Sequence, residues 1–203
     1  MKPVLVIAML IFLSGCVTTP EQQSYLDGSD AYLAKDYDLA KEKIQYCASK
    51  NHYQCNYILG MVTLKKDGPY QSIPYFKKEA VVGNKEAQAL LSIAIYRTYM
   101  EFKSSNKPTP QDIDLSEAIG WIWVAKKQGY TGANDLLSDL TFQHASDLNT
   151  DPNLLIASLM PKLEQYEKNY IKNPWKIFNG PKAPLGISYA IQFWPLEEKL
   201  WLK

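Results

Sequence analysis

The chain is poor in the residues that carry out chemistry. Its 203 residues include two histidines and three cysteines, and Arg97 is its single arginine. His52 and His144 stand far apart, each within or beside an expected helix and with no acid cluster or nucleophile next to it in sequence, which argues against a catalytic triad. No glycine-rich phosphate loop follows a strand-like segment, so nucleotide binding has no support. Charge of one sign is lacking too. The chain has 22 Lys plus Arg against 21 Asp plus Glu, which leaves no excess field to draw a polyanion, and no nucleic-acid partner is expected. The longest apolar run, Val4 to Leu13, falls short of the roughly 20 residues that a membrane-spanning helix needs. Aromatic residues, by contrast, are plentiful: 12% of the chain, with 14 Tyr and 5 Trp. Such rings serve helix packing and protein interfaces alike.

The short apolar run has a purpose other than spanning. Lys2 precedes it, small residues and a cysteine close it as Leu13-Ser14-Gly15-Cys16, and polar Thr18 to Gln23 follow. That order of charge, apolar core and small residues is the layout of an export signal. The four closing residues resemble the lipobox of bacterial lipoproteins. The resemblance implies a signal peptide over residues 1–15 that is removed, lipid carried on Cys16, and a lipidated tether over residues 16–20. Val17 stands where an aspartate would mark retention at the inner membrane. An outer-membrane, periplasm-facing location is therefore expected, with membrane attachment through the N-terminal lipid only.

If Cys16 carries lipid, Cys47 and Cys55 remain as a pair in an oxidising compartment, and a disulfide is expected between them. A metal site is the alternative reading. Seven residues separate the two cysteines and only His52 lies nearby, so a zinc site would want a fourth ligand and a shorter cysteine spacing.

The middle of the chain repeats itself. Laying Ser72 to Tyr96 over Ala118 to Leu140 matches Gly83 with Gly129, Ala87 with Ala133, Leu91 with Leu137 and Tyr75 with Trp121. In each copy a helix is expected to end at the glycine, with a second helix starting a few residues later. A fainter copy places Gly28, Ala31, Ala40, Ile44 and Cys47 at similar spacing, and Leu59-Gly60 supplies the matching position in the next unit. The pattern Ala118, Ile119, Trp121, Ala125, Gly129, Ala133, with Tyr75, Phe76, Ala80, Gly83, Asn84, Ala87, Gln88 and Leu91 in the other copy, resembles the Sel-like repeats, relatives of the tetratricopeptide repeats. Pro74 inside a helix, and Ser92 and Ser138 in place of glycine, depart from it. The resemblance implies an all-α fold, a short α/α solenoid of helical hairpins over residues 21–171. It also implies a Cys47–Cys55 staple, since cysteine-rich members carry pairs at this spacing.

Helices are expected near residues 21–35, 38–49, 52–66, 70–82, 84–103, 114–128, 132–147 and 153–171. An enlarged loop is expected around Pro108 and Pro110. Asp151-Pro152 should open the last helix, and Pro161 should kink or break it. Beyond Asn173 the prolines and glycines of residues 172–203 preclude a long helix. That tail still carries Trp175, Phe178, Tyr189, Phe193, Trp194 and Trp201. It reads as a cap over the open end of the solenoid or as a plug in its groove, and GISYAIQF within it as a short strand.

No reactive constellation emerges. Ser104-Ser105-Asn106-Lys107 matches a penicillin-binding Ser-x-x-Lys, but Pro108 follows at once and forces the preceding residue out of helical geometry. No cofactor is expected, and the chain reads as non-catalytic. In tetratricopeptide-like arrays the first helix of each pair lines the concave face, which makes Tyr57, Lys65, Tyr96, Arg97, Tyr99 and Glu101 the candidate partner-binding residues; packing between repeats is the other role open to those tyrosines. A guanidinium among tyrosines suits a carboxylate or aromatic partner. The expected partner is a periplasmic protein. Sel-like periplasmic lipoproteins include immunity proteins against phospholipase effectors of type VI secretion, and the resemblance implies that role here. An envelope assembly or signalling adaptor is the alternative, and an enzyme acting on peptidoglycan or β-lactams a remote one.

Overall fold

A computed structural model describes residues 19–52 and 54–171. These form eight α-helices and no strands: α1 Pro20–Leu33, α2 Tyr37–Ser49, α3 Cys55–Lys66, α4 Pro69–Ala80, α5 Lys85–Ser104, α6 Leu115–Lys127, α7 Ala133–Asp147 and α8 Pro152–Tyr170. Each helix packs on its neighbour in sequence, and α6 also packs on α8. The fold is all-α and solenoid-like, as the hairpin pattern predicts. Cys16, the signal and most of the tether lie outside the described residues, as do the tail 172–203 and its expected strand.

Local chemistry sets the helix ends. Thr19 and Gln22 form a capping box at α1, each accepting the other's backbone N–H. Asp36, Asn84, Asp114 and Asp151 cap α2, α5, α6 and α8 through their side chains. Gly83 and Gly129 sit at φ 99° and 76° just past α4 and α6, where a left-handed backbone ends a helix at little cost. The Ser72–Tyr96 and Ala118–Leu140 segments are thus both helix, turn and helix.

Two expectations need correction. Of the kink or break expected at Pro161, the break does not occur; α8 runs through it, as α4 runs through Pro74. In both cases the residue four positions earlier, Ala157 or Tyr70, is exposed, so the carbonyl that loses its helical donor can turn to solvent. The third helix starts at Cys55, not near 52, because Asn51 and Gln54 adopt φ 52° and 66° in the turn that precedes it.

Large side chains fill seams that small ones open. Phe76, Trp121, Ile44, Leu91, Ile122 and Leu163 are among the fully buried side chains, each contributing about 2 kcal/mol of apolar burial. Phe76 lies over Gly60 and Tyr166 over Gly120, so closely that a Cβ on either glycine would sit 2.7 Å from the ring. Trp121 then meets Tyr166 edge-on and Tyr170 at a tilt, with ring centroids 5.3 Å and 4.6 Å away. Ser92, which replaces a pattern glycine, is buried and donates to Ala118 O at 2.8 Å, tying α5 to α6. Gln88 joins three helix ends: its amide N–H group donates to Ala80 O and Tyr170 O at 3.0 Å and 3.1 Å, and its carbonyl accepts from Gln128 at 2.6 Å.

Candidate functional site

Four of the six candidate partner-binding residues come together on one helix. Tyr96, Arg97, Tyr99 and Glu101 occupy the second half of α5, which is the second helix of the Ser72–Tyr96 unit and not the first, to which the tetratricopeptide-like pattern assigns the concave face. The three-residue spacing of Tyr96 and Tyr99 sets them on a shared face, with Arg97 and Glu101 on the adjacent one. Tyr99 donates to Asp147 Oδ2 at 2.6 Å, at the end of α7. Asp147 also accepts from Gln143 at 3.0 Å and pairs with Lys103, whose ammonium lies 5.6 Å from the Tyr99 ring centre. An aromatic and charged face therefore spans α5 and α7. Tyr96, Arg97 and Tyr99 are partly exposed there, and Glu101 is exposed.

The electrostatics of this face are coherent. Partial burial pushes both phenols up; the Tyr99 hydrogen bond to Asp147 adds to this, as do the charges of Asp139 and Asp147 at Tyr96. Partial burial alone would raise the Asp147 carboxyl, but its bonds to Lys103, Tyr99 and Gln143 outweigh that and hold it below the usual range. At neutral pH the face presents neutral phenols around a fixed carboxylate–ammonium pair.

The other two candidates lie elsewhere. Lys65 is partly exposed in the last turn of α3. Tyr57, on the same helix, is 9% exposed and packs against Phe76 with centroids 6.3 Å apart. Its ring fills the seam between helices, and burial holds its phenol neutral far into the alkaline range. Tyr57 thus takes the packing role that the sequence left open to it.

The cysteine pair is a disulfide. Cys47 and Cys55 are bonded across the α2–α3 turn, with Cα atoms 5.8 Å apart. His52 Nδ1 lies 3.5 Å from Cys55 Sγ, but both sulfurs are consumed by the bond, which rules out the thiolate metal site. Among the described residues no group of three or more His, Cys, Asp or Glu could hold a metal ion, and no helix is long and apolar enough to cross a membrane.

Folding brings His144 against a hydroxyl that its sequence neighbourhood does not contain. Ser116 Oγ and His144 Nε2 are 3.0 Å apart, joining α6 to α7. Burial lowers the imidazole below 6.5, opposed by Asp114 and Asp147. A hydroxyl–imidazole pair is the start of a nucleophilic site. Here the Ser116 backbone N–H donates to Asp114 Oδ1 at 2.8 Å, and no carboxylate among the described residues hydrogen-bonds the imidazole to orient it as the third member of a triad would. The pair acts as a tie between helices. Ser104 and Lys107, of the Ser-x-x-Lys match, are both exposed beside a turn at Asn106.

Sequence reasoning also passed over Trp123. Its indole N–H donates to Glu167 at 2.5 Å, and Lys126 and Lys127 lie 5.6 Å and 4.9 Å from its ring centre. The i, i+3 and i, i+4 spacing on α6 was the available signal. Comparison with protein-family models, with curated proteins and with solved structures finds no match for this chain.

Proposed function

We propose that the chain is a non-catalytic, lipid-anchored, periplasm-facing helical repeat protein of the Sel-like type, and that its α5–α7 face binds another protein. The partner that best fits is a phospholipase toxin delivered by type VI secretion, neutralised at the membrane it attacks. One observation carries the binding role: Tyr99 holds the Lys103–Asp147 ion pair through its hydroxyl and its ring, on a face of α5 where Tyr96 and Arg97 are also partly exposed. Rigid aromatic residues and arginine are the groups that dominate binding energy at protein interfaces. The toxin assignment rests on the lipobox and the repeat pattern in the sequence, which bear on fold and address more directly than on partner.

The full-length chain should capture one envelope or secreted protein at a fixed ratio, and adding it should suppress that partner's lipase activity. Changing Tyr96 and Arg97 together to alanine should weaken capture at least tenfold while the far-ultraviolet helical signal stays unchanged. Undiminished capture by that double variant would move the interface off α5.

A further inference from the structure

Helix α3 starts without a cap of its own. Gln54 occupies its N-cap position in a left-handed conformation, and its side chain makes no capping hydrogen bond. The carboxyl of Glu79, in the last turn of α4, stands in that place, close enough to the Gln54 backbone N–H and the Asn56 side chain for both to favour its charged form. Glu79 is 3% exposed and Asn56 also 3%. Yet Glu79 Oε2 and Asn56 Oδ1 have no hydrogen-bond partner among the described residues.

Two orphaned acceptors on two groups that already touch are an arrangement that one proton resolves. An acid and an amide pair side by side, amide N–H to one acid oxygen and acid O–H back to the amide carbonyl, and only the neutral acid supplies that O–H. An ionised carboxylate would leave a buried charge and two unsatisfied acceptors. The neighbouring hairpin shows what the position ordinarily holds. The register that sets Gly83 on Gly129 sets Glu79 on Ala125, which is completely buried.

We propose that Glu79 is a neutral acid in the folded chain, hydrogen-bonded through Oε2 to Asn56 Oδ1. This proton clamps the end of α4 to the disulfide-bearing turn before α3, and the clamp loosens when the carboxyl ionises.

Burial pushes the Glu79 carboxyl up to about 7, against the opposing bonds from Asn56 and Gln54 and the charge of Lys78. From α3, the facing groups are Asn56 and the Gln54 N–H, neither of which titrates. From α1, the Tyr25 hydroxyl reaches Gln54 Oε1 at 3.3 Å. From α5, Lys85 and Glu86 stand partly buried in the first turn. The folded value lies above the ordinary 4.5, so the folded chain keeps a proton that the unfolded chain has already lost. This contribution to stability is greatest in acid, declines as pH rises between those two values, and is flat above them.

Thermal unfolding of the full-length oxidised chain, followed from about pH 5 to about pH 8.5 beside Glu79→Gln, tests this. Relative to the variant, whose amide cannot ionise, the native chain should lose about 5 °C of melting temperature across that range. Its infrared spectrum should show a protonated-carboxyl band that titrates away near neutrality and is missing from the variant. Parallel melting curves, or no such band at about pH 5.5, would overturn the proposal. If Glu79→Gln does not fold, Asn56→Asp replaces it. Two facing acids share one proton, so the loss of stability should move to higher pH; an unmoved transition would equally overturn the clamp.

Discussion

At the scale of single residues, the seams leave little room for error. Gly60 and Gly120 receive the rings of Phe76 and Tyr166 at a distance no Cβ tolerates, and a fully buried ring such as Phe76 cannot swing aside. Gly60→Ala should destabilise the chain by about 1–3 kcal/mol, read from denaturant unfolding. Gly120→Ala should cost less, because Tyr166 is only partly buried. His144 gives a pH dependence opposite in sign to that of Glu79. Its imidazole should titrate below 6.5 when followed by NMR. The unfolded chain then takes up the proton more readily, so this contribution to stability is lost as pH falls below about 6.5. Neither pairing could be read from the sequence. Ser116 and His144, or Asn56 and Glu79, are brought together by which helix faces meet, and local periodicity does not specify that. Tyr57 was open for the same reason: a tyrosine on an apolar helix can face a groove or a seam, and only the position of Phe76 decides which.

At the scale of elements, the sequence was far more informative. The helical segments were legible because their ends carry strong local chemistry: Asp36, Asn84, Asp114 and Asp151 as caps, and Gly83 and Gly129 as stops. Misreadings fall where a local rule was overridden. Proline predicts a kink or a break at Pro161, yet α8 stays helical through it, since the exposed Ala157 lets the freed carbonyl turn to solvent. The start of α3 was placed three residues early because Asn51 and Gln54, both left-handed, precede it between the bridged cysteines. That bridge has a measurable weight. Reducing it, or replacing both cysteines with serine, should lower stability by about 2.5 kcal/mol through the freed loop entropy. Comparing melting temperatures with and without reductant checks this; an unchanged value would mean that the turn is held by its packing alone.

At the scale of the whole molecule, what unites the array is a buried amide as well as apolar contact. Gln88 links the ends of α4, α6 and α8 through Ala80, Gln128 and Tyr170. Gln88→Leu keeps the volume but removes the three bonds that join these helix ends, and should destabilise by about 1–3 kcal/mol. Its loss should raise hydrogen exchange at Trp121 and Tyr170 more than in α1 and α2, which lie at the other end of the series. The sequence marked Gln88 as a pattern position without revealing which helix ends it joins, since Tyr170 lies far along the chain. Because helices meet mainly their immediate successors, little chain has to be threaded or looped before native contacts form. Folding should accordingly be quick for a protein of this length and should tolerate synthesis from one end, each newly completed hairpin finding its seat already built.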